Sequence, residues 1–182
     1  GTLGITSAGA VTDSGTLAIT GATTISASGQ DITLDEAAST FGTLALTGAN
    51  VAVTDAGATD LGASTVSGTL GITSAGAVTD SGTLAITGAT MISASGQDIT
   101  LDEAASTFGT LALTGANVAV TDAGATDLGA STVSGTLGIT SGGAITDSGT
   151  LAITGAAALD NSGGTNDAIT LDDSSNAFNG TV

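Results

Sequence analysis

The sequence predicts an all-β fold, a parallel β-helix (β-solenoid) with about three coils in each 67-residue repeat. Three features of the 182 residues favour this fold: a repeat of fixed period, short runs in which apolar and small polar residues alternate, and the absence of helical spacing. One coil is one circuit of the chain around the rod axis. Such a chain buries its apolar side chains only by stacking each coil on the next.

The repeat is nearly perfect over two copies and partial in a third. Residues 1–67 and 68–134 differ only at Thr24 and Met91, whereas residues 135–182 begin in the same way and then diverge. Self-similarity at a fixed period is typical of solenoids and arrays. We therefore expect one continuous solenoid built from two full repeats and one partial, divergent repeat.

Each repeat contains short segments of the strand type, bounded by Gly, Asp, Ser or Asn. Three degenerate copies of one strand begin at Gly1, Gly21 and Gly42, and they divide the repeat into three sub-units of which the last is the longest. A second row aligns "AVTD", "DITLD" and "NVAVTD", and a third row aligns "GTLAIT", "STF" and "DLGAST". This alignment gives three short strands per coil.

An antiparallel sandwich with one domain per repeat is the alternative all-β fold. Its hairpins would need turns such as Asn-Gly or Asp-Gly, and the chain contains one such pair, Asn179-Gly180, at its very end. The strand motifs also share one direction, as parallel stacking requires. The pattern therefore favours the β-helix.

Alternation assigns one set of side chains to the interior and another to the surface. Inward positions of the first repeat are apolar, and we expect their equivalents in later repeats to be buried too: Leu3, Ile5, Val11, Leu17, Ile19, Ile25, Ile32, Leu34, Phe41, Leu44, Leu46, Val51 and Val53. Outward positions carry small or hydroxyl side chains: Gly4, Thr6, Thr12, Ala18, Thr20, Thr33, Ala52 and Thr54. The variable position, Thr24 or Met91, is predicted to be outward because a packed core would not readily take either residue.

The charge of the chain excludes several partners. Fifteen Asp and two Glu are accompanied by no Lys, Arg or His, so the net charge is −17 at pH 7. Nucleic acid is excluded as a partner because phosphate binding needs basic side chains. No run of eighteen apolar residues is present, so no membrane insertion is expected. Because 41% of the residues are apolar, we nevertheless expect a folded chain.

The coil alignment places eight Asp residues in a row along one corner of the rod. Two such charges one rung apart, about 4.8 Å, repel each other in water by about 0.9 kcal/mol. One interpretation is turn chemistry, in which each carboxylate bonds the backbone two residues further on. The other is a weak Ca²⁺ site, since Ca²⁺ takes carboxylate and carbonyl oxygens, and no other cofactor is expected. The row consists of Asp13, Asp35, Asp55, Asp80, Asp102, Asp122, Asp147 and Asp172.

We expect no enzymatic activity from these residues. Asp35 stands beside Glu36, and the same pair recurs in the second repeat, but neighbouring strand residues point to opposite faces. Glycoside hydrolysis by two carboxylates remains a formal alternative, although the chain has no Arg, Lys, His, Tyr or Trp to hold a sugar. Ser–His chemistry and His or Cys metal sites are excluded because both residue types are missing.

The repeat pattern resembles the repeat regions of very large secreted bacterial proteins of the filamentous haemagglutinin type. The most similar stretch is "AITLDDSSNAFNGTV", residues 168–182, which is similar to the "ITLD-x-A-x-N-x-F-x-G-x-V" segment of those repeats. In the earlier repeats Ser39 or Ser106 stands in place of the Asn, and one residue is missing before Gly42 or Gly109. The resemblance implies a β-helical shaft, exported to the cell surface or the medium, that spaces an adhesive tip from the cell or builds matrix.

The sequence therefore predicts a structural role, as a shaft or fibre segment of an extracellular bacterial adhesin or filament-forming matrix protein. Near-identical repeats favour a shaft, because a binding site needs singular residues. The expected partners are further copies, associated end to end or laterally into fibres, and lateral bundling should rise with ionic strength. The alternative is a surface-binding solenoid, for ice or surface polysaccharide, with flat faces that present Thr6, Thr20, Thr33 and Thr54.

Overall fold

Each alternating run of the sequence forms a short strand in the computed structural model, which describes residues 1–162 and 167–182. Strands are two to six residues long because Gly, Ser, Asp and Asn interrupt every run. All strand pairs in these two ranges are parallel, which rules out the antiparallel sandwich and confirms the β-solenoid. The same ranges contain no helix.

Two long sheets run along the rod. The first sheet follows the path β1 (Leu3–Thr6), β4 (Thr23–Ser26), β7 (Thr43–Gly48), β9 (Thr59–Leu61), β12 (Val78–Asp80), β15 (Ile99–Leu101), β17 (Val118–Asp122), β20 (Leu137–Ser141) and β23 (Ala157–Asp160), with β10 (Ser64–Val66) and β13 (Leu84–Ile86) beside it. The second sheet follows β2 (Val11–Thr12), β5 (Ile32–Leu34), β8 (Val51–Asp55), β11 (Leu70–Ser74), β14 (Thr90–Ser93), β16 (Thr110–Gly115), β18 (Thr126–Leu128), β21 (Ile145–Asp147) and β24 (Ile169–Thr170). Beside this path lie β19 (Ser131–Val133), β22 (Leu151–Ile153) and β25 (Ala177–Phe178), and a separate pair consists of β3 (Ala18–Ile19) and β6 (Thr40–Phe41). Nine successive strands in each path correspond to about eight coils, or a rod about 38 Å long at about 4.8 Å per coil.

The register confirms the first two predicted strand rows. Leu3 pairs with Thr23, and Thr23 pairs with Leu44, so β1, β4 and β7 stack in the predicted order. In the second sheet β2, β5 and β8 stack in the same way. The start of the third row is also confirmed, because Ala18 of β3 pairs with Thr40 of β6.

The prediction that "DLGAST" stacks on "STF" in the third row is wrong, although its second half, β10, pairs with β13, the "GTLAIT" strand of the next repeat. This segment forms β9 and β10, and both pair with the long strand β7 of the first sheet. Gly62 and Ala63 separate the two strands, and the Ser64 hydroxyl accepts a hydrogen bond of 2.9 Å from the Leu46 amide in place of a ladder carbonyl. Above β7 the first sheet therefore continues as two separate stacks of strands, one through β9 and one through β10. The second sheet divides in the same way above β16, which pairs with both β18 and β19.

The repeat is longer than three coils. Three coils lead from Val11 through Ile32 and Val51 to Leu70, whereas a full repeat leads from Val11 to its equivalent Val78. The additional residues move each strand to the other sheet, so "LGIT" lies in the first sheet as β1, in the second as β11 and in the first again as β20. The repeat thus spans three coils and part of a fourth, and equivalent residues of successive repeats lie on different sides of the rod.

The predicted interior is confirmed in the body of the rod. All thirteen inward positions of the second repeat are at most 7% exposed. In the first repeat Leu3, Ile5, Leu17 and Ile19 are only half-buried, because their coil has a neighbouring coil on one side. The predicted outward positions are exposed or half-exposed, and Met91 is 49% exposed.

Two threonines are exceptions inside the core. The hydroxyls of Thr23 and Thr90 are buried and have no hydrogen-bond partner in the described part of the chain. A buried hydroxyl without a partner costs free energy, because nothing replaces its hydrogen bonds to water. The third repeat has Ala157 at this position, opposite the Leu of "LGIT".

We expect Thr90→Val to raise the free energy of unfolding by about 1 kcal/mol, because a methyl group replaces the unpaired hydroxyl. Thr126→Val is the matched control. The Thr126 hydroxyl donates to the buried carboxylate of Asp122 at 3.2 Å, so its loss should lower stability. Urea unfolding followed by circular dichroism measures both variants, and equal destabilisation by the two would contradict the argument.

Candidate functional site

The eight Asp residues predicted to form one row do not do so. Six of them form three pairs between neighbouring coils, and the first and third pairs follow strands of the second sheet whereas the middle pair follows strands of the first. The length by which the repeat exceeds three coils causes this separation, because it moves equivalent corners to the other sheet. The pairs are Asp13 with Asp35, Asp80 with Asp102, and Asp147 with Asp172.

The other two members of the predicted row, Asp55 and Asp122, lie inside the rod and are 1% exposed. Leu34 pairs with Val53, so Asp35 stands opposite Thr54, and Asp55 is one position further along. A shift of one residue turns a side chain to the opposite face of a strand. The predicted alignment was therefore off by one residue at these two positions.

Within each pair, one carboxylate binds the backbone of the next coil. Oδ1 of Asp80 accepts a hydrogen bond of 2.9 Å from the amide of Asp102, and Oδ2 accepts one of 3.4 Å from the amide of Glu103. The first of these bonds recurs in the other two pairs, at 3.2 and 3.0 Å. Burial raises the pKa of Asp80, while these two amides act to lower it. The outward Asp thus joins two coils.

Turn chemistry is confirmed for Asp55 and Asp122, although that interpretation expects solvated carboxylates and these two are buried. Oδ1 of Asp122 accepts a hydrogen bond of 2.9 Å from the amide of Gly124, two residues on, and Oδ2 accepts one of 3.2 Å from the Thr126 hydroxyl. Asp55 makes the equivalent bonds at 2.8 and 3.2 Å. Burial raises the pKa of Asp122, and its hydrogen bonds oppose this effect.

Among the described residues, the carboxylates come together in pairs and not in larger groups. Across residues 1–162 and 167–182, no three His, Cys, Asp or Glu side chains come close enough together to hold an ion. Ca²⁺ takes six to eight oxygen ligands, whereas each pair brings together two carboxylates, one of which is already bonded to backbone amides. The Ca²⁺ hypothesis depended on a row of eight Asp residues along one corner, and the chain does not form that row.

Polar ladders that the sequence analysis missed join three consecutive coils. Oδ2 of Asp60 accepts hydrogen bonds of 2.8 Å from the hydroxyls of Thr43, in the coil before it, and Ser81, in the coil after it. In the next repeat Asp127 makes the same two contacts at 2.8 and 2.7 Å. The two partners are separated from Asp60 by unequal stretches of sequence, so only a known coil register could have revealed the ladder.

Asn50 forms a second kind of three-coil ladder. Its side-chain amide donates to Oδ1 of Asp31 at 2.9 Å, and its own Oδ1 accepts bonds of 3.0 and 3.1 Å from the amide and hydroxyl of Thr69. Gly68 must lack a side chain here, because a Cβ atom would collide with Oδ1 of Asn50. Asn117 repeats this ladder in the second repeat.

The predicted alignment of Ser106 with the Asn of "ITLDDSSNAFNG" is confirmed by a shared contact. Oδ1 of Asn176 accepts a hydrogen bond of 2.7 Å from the amide of Leu151, and the Ser106 hydroxyl accepts one of 2.9 Å from the amide of Leu84. Asn176 also donates to Oδ2 of Asp147, which a serine there cannot reproduce. The contact fixes the last coil to the coil before it.

Two shallow grooves lie on the outer faces of the sheets. The larger, of about 400 Å³, lies on the second sheet and is lined by no charged side chain. The smaller, of about 200 Å³, lies on the first sheet around Gly138 and is bordered by Asp102 and Asp160. Both form beside the outward Gly of an "LGIT" strand, Gly71 in the larger groove and Gly138 in the smaller.

The fold and these contacts define a class of protein: an acidic parallel β-solenoid whose polar side chains join coil to coil. A family model described as repeats of unknown function (DUF5649) matches residues 1–47, 48–114 and 115–182, and the chain belongs to that family. No curated protein and no solved structure matches the chain. The described ranges hold no helix of the length and apolarity needed to cross a membrane.

Acidification from pH 7 toward the ordinary Asp pKa of about 4 should stabilise the protein. Burial raises the pKa of Asp80 and Asp122, so the folded state takes up these protons at a higher pH than the unfolded state does. Stability therefore rises as the pH falls through the folded-state pKa, and the gain is complete once the pH is below the ordinary Asp pKa of about 4. Urea midpoints at a series of pH values measure the effect, and Asp122→Asn should flatten it.

The control for this titration is Asp160→Asn, which should change the pH dependence of the free energy of unfolding in the opposite sense. Hydrogen bonds from the side chain and amide of Ser162 lower the pKa of the exposed Asp160, so its contribution is lost only as the pH falls below the ordinary Asp pKa. A wild-type chain that loses stability as the pH falls from 7 toward the ordinary Asp pKa of about 4 would contradict the assignment. So would an unchanged slope in the Asp122→Asn variant.

Asn176→Ser should raise the pKa of Asp147 toward its ordinary value and destabilise the last coil by about 1 kcal/mol. Burial acts to raise this pKa, but hydrogen bonds from Asn176 and from the amides of Asp172 and Asp173 outweigh it, so the pKa is lowered. An NMR titration of the Asp147 carboxyl carbon measures the change. Asn179→Ser, at an exposed position nearby, should leave the titration as it is; an equal change in both variants would show that Asn176 has no specific effect.

Proposed function

We propose that the chain is a structural segment, part of the shaft of an extracellular bacterial adhesin or filament-forming matrix protein. One observation carries this proposal: the same repeat sequence makes the same coil-to-coil contacts on different sides of the rod. Asp60 lies in the first sheet and Asp127 in the second, yet both bind their Thr and Ser neighbours at 2.7 to 2.8 Å. Polar groups that could face a ligand are used to hold the next coil.

A shaft is defined by its length, and length here depends on the number of repeats. Each repeat spans three coils and part of a fourth, so it adds about 16 Å to the rod at about 4.8 Å per coil. Each coil contacts only its neighbours, so repeats can be added or removed while the remaining contacts stay the same.

The proposed location is outside the cell, at the surface of a bacterium. Support comes from the resemblance of residues 168–182 to haemagglutinin-type repeats, and from the absence of Lys and Arg, which leaves no site for trypsin-like proteases. Further copies, associated end to end or laterally into fibres, are the proposed partners, and support comes from the exposure of β1. Leu3 is half-buried there, whereas its equivalent Leu70, which has a coil on each side, is 1% exposed.

The alternative function, a surface-binding solenoid, has weaker support. The second sheet carries one outward column of hydroxyl groups: Thr54, Thr73, Ser93 and Thr114. Over the same four rungs the adjacent outward column has none: Ala52, Gly71, Met91 and Ala112. This column continues on the rungs below with Thr33 and Thr12, which lie beside Asp35 and Asp13. Two Thr columns side by side, which would make a regular hydroxyl lattice, are therefore not formed on this face.

Deletion of residues 68–134 should leave a folded but shorter rod on the cell surface. The new junction reproduces the natural one, because β11 and β20 stack on the identical strands β8 and β17 in the same register. Small-angle scattering should detect a rod about 16 Å shorter. Antibodies against the chain should label the variant on intact cells of the bacterium that makes it.

The control is a deletion of residues 68–127, which removes a similar length but joins the chain out of phase. It should unfold or aggregate, because inward and outward positions no longer match those of the coil below. A well-folded out-of-phase variant would contradict the modular shaft. Labelling only after cell lysis would contradict the proposed location.

A further inference from the structure

Met91 is a singular residue on an otherwise repeated surface. It is the one position at which residues 68–134 differ from residues 1–67, and it is 49% exposed at the centre of the outer face of the second sheet. Its rung neighbours are Gly71 below and Ala112 above. An exposed apolar side chain therefore stands next to positions with little or no side chain.

The groove of about 400 Å³ lies beside this side chain. Gly71 forms its floor one rung below Met91, and a Cβ atom at Gly71 would have only the Val51 carbonyl oxygen, at 3.7 Å, within 4 Å. The protruding Met91 side chain and the space above Gly71 are thus neighbours in one outward column, about 4.8 Å apart. We call the outward side chains of β8, β11, β14 and β16 the Met91 patch.

The Met91 patch carries no charge, although the chain has a net charge of −17. Its outward residues are Ala, Gly, Met, Ser and Thr, and the one carboxylate on these strands, Asp55, is 1% exposed. Two copies of a chain without cations repel each other wherever their carboxylates meet. They can therefore approach each other most closely where the facing surfaces carry no charged side chain.

We propose that the Met91 patch is a self-complementary interface between two copies of this chain. A two-fold axis that lies in the interface, parallel to the strands and between β11 and β14, places Met91 of each copy on Gly71 of the other. The same operation places Ala112 of each copy on Ala52 of the other, so the two rods run antiparallel. Both copies thereby use the same patch, as a two-fold interface requires.

The interface is small, and the association is therefore weak and reversible. Four rungs span about 14 Å, so each copy buries on the order of 300 Å², below the roughly 800 Å² of a stable interface. Salt should strengthen the contact, because it screens the repulsion between the two acidic rods. This inference does not depend on the proposed shaft function.

The first repeat supplies a matched position for the test. Thr24 lies on the outer face of the first sheet between Gly4 and Ala45, as Met91 lies between Gly71 and Ala112. Met91→Thr makes the two repeats identical and removes the protruding thioether side chain. Thr24→Met builds a similar patch of three strands, β1, β4 and β7, on a different side of the rod. Both positions are exposed, so both variants should fold and melt as the wild-type chain does.

Sedimentation equilibrium of the full chain, from about 50 µM to about 1 mM and in about 20 mM and about 500 mM NaCl, tests the proposal. The wild-type chain should show a monomer–dimer equilibrium that shifts toward dimer with salt. Met91→Thr should lower the association constant about tenfold or more, because the buried thioether is lost. Thr24→Met in that background should restore dimers, and Thr24→Met alone should give larger assemblies.

Two results would overturn the proposal. A wild-type chain that remains monomeric in all these conditions would show that the patch does not bind a second copy. Association that is unchanged in Met91→Thr would place the contact elsewhere, for example at the strand edges of the first and last coils.

Discussion

Parallel stacking at about 4.8 Å per coil is the constraint on which the rest of this structure depends. Every backbone amide that meets no carbonyl of the neighbouring coil must find another acceptor there. Ser64 and Ser106 supply one by accepting from the amides of Leu46 and Leu84, and Asp80 does so for the amide of Asp102. The high content of Gly, Ser, Thr and Asp follows from this requirement, since larger side chains would keep neighbouring corners apart.

The length of the repeat relative to the coil determines on which side of the rod each pair of Asp residues lies. A repeat of three coils would have brought every equivalent Asp pair to one side of the rod. The observed repeat is longer than three coils, so the pair of Asp80 and Asp102 lies on the other sheet from the pair of Asp13 and Asp35. Without any cation in the chain, this distribution keeps like charges apart.

Strand positions and the interior could be predicted from sequence because they depend on a local period of two. Thirteen inward residues of one repeat follow from that period alone, and their equivalents in the second repeat are buried. The division of the first sheet above β7, the burial of Asp55 and the ladder through Asp60 could not be predicted. They depend on which residues lie one coil apart, and the sequence separation of rung partners is not constant: Leu44 pairs with Thr23 on one side and with Leu61, a shorter step along the chain, on the other.

Repetition also changes how a single residue is interpreted. In a chain whose first two repeats are otherwise identical, a contact present in both is explained by the stacking that both share. Met91 has no such explanation, because Thr24 occupies the equivalent site with the same small neighbours and the coil forms equally well. The substitution leaves the solenoid intact and alters only what an approaching surface meets. A property that belongs to Met91 therefore concerns contact with another molecule, and a chain with seventeen carboxylates admits such contact most readily at a patch that carries none.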